Sequence, residues 1–231
     1  MKPQDADAQS TERVWPVTNG IFPSNCYVCA TDVPGECFIV DPGLDAALIE
    51  SALTERGLTA RAVLCTHGHF DHAGSAAHFQ KMHGCPVYLH RRDVKTLRSS
   101  NFLMMAFKIP ARMVTPEVIE VGNEQPEVRL GSTVVRFHPV PGHTPGSCVL
   151  EFGRSLFTGD TLYSRGVGLS KLPGEDLELL RRSILSIWDR FPDDTIVRPG
   201  HGESAELGWI KANNAALLRF LGDKTSPMAQ A

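Results

Sequence analysis

The stretch THGHFDH, residues 66–72, places three histidines and one aspartate within seven residues. It follows the short apolar run RAVLC, which predicts a buried strand, so the motif lies at the carboxyl end of a strand, where open α/β sheets place ligand sites. His67 and His69 are two apart in extended chain, so their rings can point the same way. Asp71 and His72 fall on the next turn, where a helix begins. These side chains suit zinc, iron or manganese and do not suit calcium.

Three later segments offer further ligands in the same context. His143 lies in PVPGHTPGS, Asp160 ends SLFTGD, and His201 lies in TIVRPGHG, each where an apolar run meets a glycine turn. A single histidine such as His90 or His138 is more often a surface or core residue than a ligand. Together with the first motif, however, the set holds five histidines and two aspartates, which suffice for two metal ions sharing one carboxylate. A purely structural zinc site would more often be cysteine-rich and closed, so the set favours a catalytic site.

Bulk composition limits the other classes of function. The chain has 231 residues, 42% of them hydrophobic, and a formal net charge of -3. It has no excess of positive charge for nucleic acid and no basic run for a membrane surface. The polar start resembles no secretory signal, and no run approaches a membrane span. We therefore expect a cytoplasmic protein with a disordered leader over 1–13, one domain over 14–221 and a polar tail over 222–231.

Six cysteines in a chain of this length do not suggest a disulfide framework. Cys37, Cys65 and Cys148 lie in apolar, strand-like runs, where a thiol behaves as a small hydrophobic group. Cys26 and Cys29 have the spacing of a redox or zinc motif. In a strand, however, residues three apart point to opposite faces, which favours a structural role for both.

The order of elements predicts an α/β domain with the motifs at strand ends. The opening stretch up to ECFIVDPG indicates antiparallel strands, and CVLEFG with SLFTGD indicates a hairpin. DHAGSAAHFQKMHG predicts one helix, EDLELLRRSILSIWDRF an amphipathic helix, and residues 203–221 a final helix. The apolar segment 102–114 is interpreted as a helix packed on the core or at a dimer contact, with a substrate-pocket wall as the alternative.

These motifs resemble those of the metallo-β-lactamase superfamily, in the hydrolase branch related to glyoxalase II. Supporting stretches are SNCYV, DPG, PGHTPGS, TGDTL and PGHG, and the resemblance covers about residues 14–220. It implies an αββα sandwich of two packed mixed β-sheets flanked by helices, with metals at one edge. It also implies that a first ion is held by His67, His69 and His143, and a second by Asp71, His72 and His201, with Asp160 bridging.

The chemistry expected of such a site is metal-assisted hydrolysis. Two divalent ions, zinc first with iron or manganese as alternatives, lower the pKa of a shared water toward about 7. The resulting hydroxide attacks a carbonyl carbon, and Asp71 is the expected catalytic residue that orients it. No nucleophile motif competes, so no covalent intermediate is expected. The function predicted is a hydrolase of small-molecule thioesters such as S-lactoylglutathione, acting as a monomer or homodimer.

The substrate is less determined than the reaction. In glyoxalase II-like enzymes a basic residue follows GDTL and binds the glutathione carboxylate, whereas Leu169 stands there in this chain. Small hydrolases of the family also tend to have Arg-Ser/Thr-Asp where this chain has Leu-Ser-Lys. Candidate substrate contacts are Tyr163, Arg165, Leu169 and Lys171. The missing charge leaves lactones and acyl esters as alternative substrates, favoured further if the segment 102–114 lines the pocket.

Other classes of function fit the motifs less well. Persulfide dioxygenases share the fold but use one iron bound by two histidines and an aspartate, and they typically replace the PGHG turn. Flavodiiron proteins carry Glu where this chain has His69. A nuclease would add a basic nucleic-acid surface, a β-lactamase would normally be exported, and a non-catalytic relative would have lost ligands.

Overall fold

The computed structural model describes residues 13–122 and 126–222. The expected leader and tail therefore lie outside the described residues, apart from their inner ends. Arg13, expected in the leader, donates a hydrogen bond to the carbonyl of Ala30. Gly222, expected in the tail, is the last residue of the final helix.

The first sheet contains six strands in the order β1-β2-β3-β4-β5-β6. Their bounds are β1 Val14–Thr18, β2 Asn25–Ala30, β3 Glu36–Val40, β4 Thr59–Leu64, β5 Val87–His90 and β6 Val118–Val121. The opening strands β1, β2 and β3 pair antiparallel, as the sequence predicts, and β3 to β6 pair parallel. The parallel strands need crossover connections, which the helices supply.

The second sheet also contains six strands, in the order β12-β11-β10-β9-β8-β7. Their bounds are β7 Glu127–Leu130, β8 Thr133–Pro139, β9 Cys148–Phe152, β10 Ser155–Gly159, β11 Ile196–Pro199 and β12 Ala205–Glu206. Strands β9 and β10 form the predicted hairpin, and β10 pairs parallel with β11. Because β8 and β9 are also antiparallel, β8, β10 and β11 run in one direction. Their carboxyl ends therefore meet at one edge of the sheet.

Helices cover the outer face of each sheet. Their bounds are α1 Ala46–Arg56, α2 Phe70–Ala73, α3 Ala76–His83, α4 Val94–Ala106, α5 Leu177–Arg190, α6 Leu207–Asn213 and α7 Ala215–Gly222. Buried residues of α1, α3 and α4 pack on the first sheet, and those of α5, α6 and α7 pack on the second. A third cluster fills the space between the sheets, with Phe38 and Leu64 from one and Phe137 and Leu150 from the other. The expected αββα sandwich of two mixed sheets is confirmed.

All six cysteines are buried as free thiols. Cys26 packs with the helices outside the first sheet, whereas Cys29 packs between the two sheets. The two thiols therefore lie on opposite faces of β2, as strand geometry predicts. Burial also raises the pKa of both thiols well above the ordinary value, which suits an inert structural role.

Two helices expected to be continuous are interrupted, so those predictions were wrong. The helix expected after the histidine motif divides into α2 and α3 at Gly74 and Ser75. The backbone N–H of Ser75 donates to the carbonyl of Pro42, and the carbonyl of Asp71 accepts from the hydroxyl of Ser24, so these two groups do not form the hydrogen bond that a continuous helix would have. The last helix begins only at Leu207 and breaks at Asn214, whose side chain binds the backbone at Gly166.

No helix in the described part of the chain combines the length and apolar composition needed to cross a bilayer.

Candidate metal centre

Three histidines converge at the edge where the two sheets meet. His67 and His69 follow β4 of the first sheet, and His143 lies in the turn after β8 of the second. Nδ1 of His69 lies 3.2 Å from Nε2 of His67 and 3.1 Å from Nε2 of His143. Ligand nitrogens around a tetrahedral zinc ion would lie roughly 3.3 Å apart, given ordinary zinc–nitrogen distances. The three imidazoles are therefore spaced as one ion would need them.

A second cluster lies beside the first and holds two carboxylates and two imidazoles. Asp71 and His72 belong to α2, Asp160 follows β10, and His201 follows β11. Nε2 of His72 lies 3.2 Å from Oδ1 of Asp160, and Nε2 of His201 lies 3.3 Å from Oδ2 of Asp71. One ligand atom from each of the four residues lies within 4.8 Å of the others. The structure thus brings together all seven expected ligands, in the two groups expected.

Asp160 lies between the two clusters. Its Oδ1 faces His72 and His201 of the second cluster, at 3.2 and 3.5 Å. Its Oδ2 lies 3.5 Å from Nε2 of His143 in the first cluster. One carboxylate therefore presents an oxygen to each cluster, which is the geometry that a bridging ligand requires.

Asp41, which follows β3, supports the imidazoles from behind. Its Oδ2 accepts from Nδ1 of His72 at 3.0 Å and from the hydroxyl of Thr66 at 2.7 Å. Its Oδ1 accepts from the backbone N–H of Thr66 at 2.7 Å. The Thr66 hydroxyl in turn lies 3.0 Å from Nδ1 of His67. With Nδ1 of both histidines donating, each Nε2 keeps its lone pair for an ion.

Asp93 holds the two histidine loops together. Its carboxylate accepts from the backbone N–H of Gly68 at 2.6 Å and from that of Gly146 at 3.0 Å. Burial raises its pKa, and bonds from Thr144 and these amides counteract part of that rise. Because Gly68 lies between two ligands of the first cluster and Gly146 follows the third, this one side chain ties β4 to the turn after β8.

Glu175 approaches the remaining imidazole. Its side chain is 6% exposed, and its Oε1 lies 3.9 Å from Nδ1 of His143, which is buried without a hydrogen-bond partner. The same carboxylate accepts from the backbone N–H groups of Ser170 and Lys171, at 2.8 and 2.7 Å. Glu175 thus fixes the loop whose sequence departs from the Arg-Ser/Thr-Asp pattern and brings a negative charge beneath His143.

Histidines of the two clusters have pKa values shifted in opposite directions. Burial lowers the pKa of His67 well below its ordinary value and, with the neighbouring His143, lowers that of His69 to about 4. Both rings are therefore neutral ligands near pH 7. Burial also lowers the pKa of His201, but the carboxylates of Asp160 and Asp71, 3.5 and 3.3 Å from its Nε2, outweigh burial and raise the value to about 9. The second cluster therefore favours positive charge, which a divalent cation supplies while displacing protons.

The donor set fits divalent metal ions. Nε2 of His72 and Oδ1 of Asp160 are buried without a hydrogen-bond partner, although buried polar atoms normally have one. A Cβ on Gly200 would lie 2.5 Å from both Oδ1 of Asp160 and Cε1 of His72, so the absence of a side chain there keeps the cluster accessible. Imidazole and carboxylate ligands suit zinc, iron and manganese.

A cavity of about 460 Å³ opens over both clusters. We call it the aromatic pocket, because Phe22, Phe70, Phe107 and Tyr163 line it beside the ligands. The rings of Phe22 and Phe70 lie edge to face, with centroids 5.2 Å apart. No lysine or arginine is among its lining residues. The pocket therefore offers an apolar surface next to the metal ligands.

The four candidate substrate contacts separate in the structure. Tyr163 and Leu169 line the aromatic pocket. Arg165 stacks on Trp209 and lines another cavity, and Lys171 lines neither the aromatic pocket nor the cavity at Arg165. The structure therefore does not bring Arg165 and Lys171 to the metal ligands.

The apolar segment 102–114 divides between two environments. Met104 and Met113 are buried in the core outside the first sheet, as the packing interpretation predicts. Phe107 instead lines the aromatic pocket, and Phe102 is 71% exposed. The segment is helical only as far as Ala106, so the interpretation of 102–114 as a helix was wrong for its second half. The core and the pocket each take part of the segment.

Several residues at the centre could not be assigned from the sequence. Asp41 belongs to the DPG stretch, and this motif does not indicate which residues its side chain contacts. The left-handed backbone conformation of Asp41, with a φ of 52°, could not be predicted either. Asp93, Glu175 and Phe22 carry no local motif, because distant parts of the chain bring them to the site. A buried carboxylate can be found from sequence only when its surroundings are already known.

Comparison with known proteins places this geometry in one family. The sequence profile of the metallo-beta-lactamase superfamily matches residues 19–201. The hydroxyacylglutathione hydrolase of Anaeromyxobacter dehalogenans is 38% identical over 172 residues, covering 74% of this chain and 59% of that enzyme.

Two solved structures are similar over most of the chain. The B3 metallo-beta-lactamase BLEG-1 is 31% identical with a TM-score of 0.81, covering 88% of this chain and 99% of that one. TTHA1623, crystallised in a di-iron-bound form, is 30% identical with a TM-score of 0.77, covering 87% and 99%. The matched region contains every residue of both clusters.

Proposed function

This chain belongs to the metallo-beta-lactamase superfamily, and from that membership we propose that it is a dinuclear metal-dependent hydrolase that cleaves a thioester. The observation that carries the proposal is the position of Asp160, which presents one oxygen to a three-histidine cluster and the other to an aspartate–histidine cluster. Two divalent ions held by these two clusters would supply the chemistry of metal-assisted hydrolysis.

The residues of the two clusters would have the following roles in this reaction. His67, His69 and His143 hold the first ion, Asp71, His72 and His201 hold the second, and Asp160 binds both. When bound, the ions supply a hydroxide nucleophile at neutral pH and polarise the substrate carbonyl. Asp71 would also accept a hydrogen bond from the attacking water and orient it.

Water is the only co-reactant that the cleavage of a thioester needs. The oxygen of water forms a bond to the acyl carbon, the carbon–sulfur bond breaks, and the thiolate leaves with the bonding electron pair. The thiolate then takes up a proton, so the products are a carboxylic acid and a thiol. The aromatic pocket excludes water from the acyl chain and, through Phe22 and Phe107, gives it an apolar contact surface.

The similarity to a hydroxyacylglutathione hydrolase supports a thioester, and the di-iron form of TTHA1623 supports a dinuclear centre. Zinc is the proposed metal, with iron and manganese compatible with the same ligands. Lactones and acyl esters are the alternative substrates, since the carbonyl chemistry would be the same. BLEG-1 is the reason to include a β-lactam among the compounds tested.

The test combines elemental analysis of protein purified without added metal with hydrolysis assays on S-lactoylglutathione, a neutral thioester, a lactone and a β-lactam. About two ions per chain with thioester turnover is the expected result. Two ions with turnover only of the lactone or the β-lactam would replace the substrate class. One iron per chain, with oxygen consumed on glutathione persulfide, would establish a dioxygenase instead.

A further inference from the structure

A second cavity reaches the metal ligands at His69 and is not lined by Tyr163. It measures about 440 Å³ and shares only His69 and Leu172 with the aromatic pocket. We call it the basic groove, because Arg92 and Lys95 line it. No aspartate or glutamate is among its lining residues, whereas the aromatic pocket contains Asp71 and Asp160 and neither lysine nor arginine. The two cavities thus meet at His69 and differ in the charged side chains that line them.

The two cations are available for a ligand. Arg92 and Lys95 are both exposed, and neither forms an ion pair with any other residue in the described part of the chain. They belong to a segment, residues 91–112, that holds six lysines and arginines against one acidic residue, Asp93, in a chain of net charge -3. Asp93 is fully buried, with its oxygens bound to Gly68, Gly146 and Thr96, so it does not neutralise the groove.

The position of Arg92 and Lys95 is relevant to Leu169, which stands where glyoxalase II-like enzymes have a basic residue. Leu169 gives the aromatic pocket no cation, and Lys171 lines neither cavity. An anionic group bound in the aromatic pocket would lie beside Asp71 and Asp160 with no lysine or arginine to pair with. The same group in the basic groove would meet Arg92 and Lys95, and guanidinium groups bind carboxylates and phosphates with two parallel hydrogen bonds.

We propose that the basic groove binds the anionic end of the thiol half of the substrate, while the aromatic pocket binds an apolar acyl chain. The proposal rests on the thioester hydrolase proposed above. It specifies the substrate class: an acyl thioester whose thiol carries carboxylate or phosphate groups, with its carbonyl at the point where both cavities reach His69. Each cavity has a volume in the range usual for small-molecule binding sites.

The experiment uses three thioesters with one hexanoyl group and different thiols. Hexanoyl-glutathione carries carboxylates, hexanoyl-coenzyme A carries phosphates, and hexanoyl-N-acetylcysteamine is neutral. The variant is Arg92→Ala combined with Lys95→Ala, and the matched control is Arg98→Ala, an exposed arginine of the same helix that is outside the groove and also without an ion pair. Binding of S-hexylglutathione, a thioether that cannot be hydrolysed, is measured by calorimetry beside the kinetics.

We expect the double variant to raise KM about tenfold per cation removed for the better of the two anionic thioesters, the effect of losing a charge-assisted contact. kcat and the KM of the neutral thioester should stay as in the unaltered protein, and Arg98→Ala should change neither. A preference for hexanoyl-coenzyme A would identify phosphate as the anion, and one for hexanoyl-glutathione would identify carboxylate. When carboxylate is preferred, S-hexylglutathione should bind the double variant correspondingly more weakly.

Equal KM changes for charged and neutral thioesters, no change at all, or the same change in Arg98→Ala would overturn the groove assignment. So would a wild-type protein that prefers the neutral thioester. None of these outcomes would contradict the proposed thioester hydrolase function. That function would be contradicted if the metal-loaded protein hydrolysed none of the three compounds.

Discussion

Oδ2 of Asp41 lies 3.0 Å from Nδ1 of His72, on the side of the imidazole that faces away from Asp160. The same oxygen accepts from Thr66, so its position is fixed by two donors. A charged acceptor behind a ligand imidazole sets the tautomer and raises the basicity of the nitrogen in front. Asp41 is therefore expected to act on metal binding without contacting the ion.

Asp41→Asn should lower metal affinity about 10- to 100-fold, the usual effect of losing an acceptor behind a ligand histidine. The amide can accept at one position only and removes the negative charge. Affinity is measured by competition with a chromogenic chelator. The control is Asp45→Asn at the N-cap of α1, where an amide oxygen can replace the carboxylate that caps Leu48. Equal affinities for wild type and Asp41→Asn would contradict the role given to Asp41.

Asp160→Ala should lose one of the two ions and most of the activity, by about a hundredfold or more in kcat/KM. The reason is that no other carboxylate presents oxygens to both clusters in the described structure. Metal content by elemental analysis is compared with that of Asp194→Ala, an exposed aspartate on the surface. Near-normal turnover with full metal content would refute the bridging position.

Leu169→Arg should improve turnover of glutathione thioesters if a missing charge in the aromatic pocket limits them. Leu169 is 42% exposed and lines that pocket, so a guanidinium there can reach the second of the two glutathione carboxylates while the basic groove binds the first. We expect kcat/KM for S-lactoylglutathione to rise about tenfold, the value of one such contact. Leu169→Gln, polar but neutral, serves as control. A specificity constant that stays the same in both variants would rule out this explanation.

Glu50 gives a prediction for acid stability away from the metal ligands. Its Oε1 lies 2.8 Å from Nε2 of His78 and 2.9 Å from Nε2 of His83. Partial burial raises its pKa, but the bonds from both histidines outweigh burial, and the net pKa is lowered. Because the folded pKa lies below the unfolded value of about 4.3, the stabilisation is complete above that pH and disappears as pH falls through the folded pKa.

Glu50→Gln should therefore destabilise the metal-free protein by about 0.5 kcal/mol near pH 6, the scale of a partly exposed ion pair. The difference from wild type should vanish as pH falls below about 4. Urea unfolding of both metal-free proteins across pH 3–7 measures it, and removing the metal first keeps ligand loss out of the comparison. A difference that grows toward low pH would show that the sign is wrong.

The grouping of the metal ligands could be predicted because each one ends a strand. Strand ends can be recognised locally, from an apolar run that meets glycine or proline, and parallel strands bring such ends to one edge. His143, Asp160 and His201 could therefore be expected near His67 although up to 134 residues separate them. Their role as ligands stays a prediction until metal content is measured.

Other features could not be predicted because they depend on contacts between distant segments. The break at Asn214 accompanies a hydrogen bond to Gly166, and the interruption before α3 accompanies a hydrogen bond from the backbone N–H of Ser75 to Pro42. Helical periodicity contains no information about either partner. The division of 102–114 between core and pocket has the same origin, since Phe107 meets Phe22 only when β1 and α4 are both in place.

The clusters take their ligands from both sheets, with four before the sequence crosses to the second sheet and three after. Bound metal therefore connects two layers that are otherwise joined mainly by apolar packing. Binding to the folded state adds to its stability in proportion to the logarithm of metal concentration. In a cell short of the metal, newly made chains would unfold more often and be degraded faster. The abundance of this protein would therefore follow metal supply even at a constant rate of transcription.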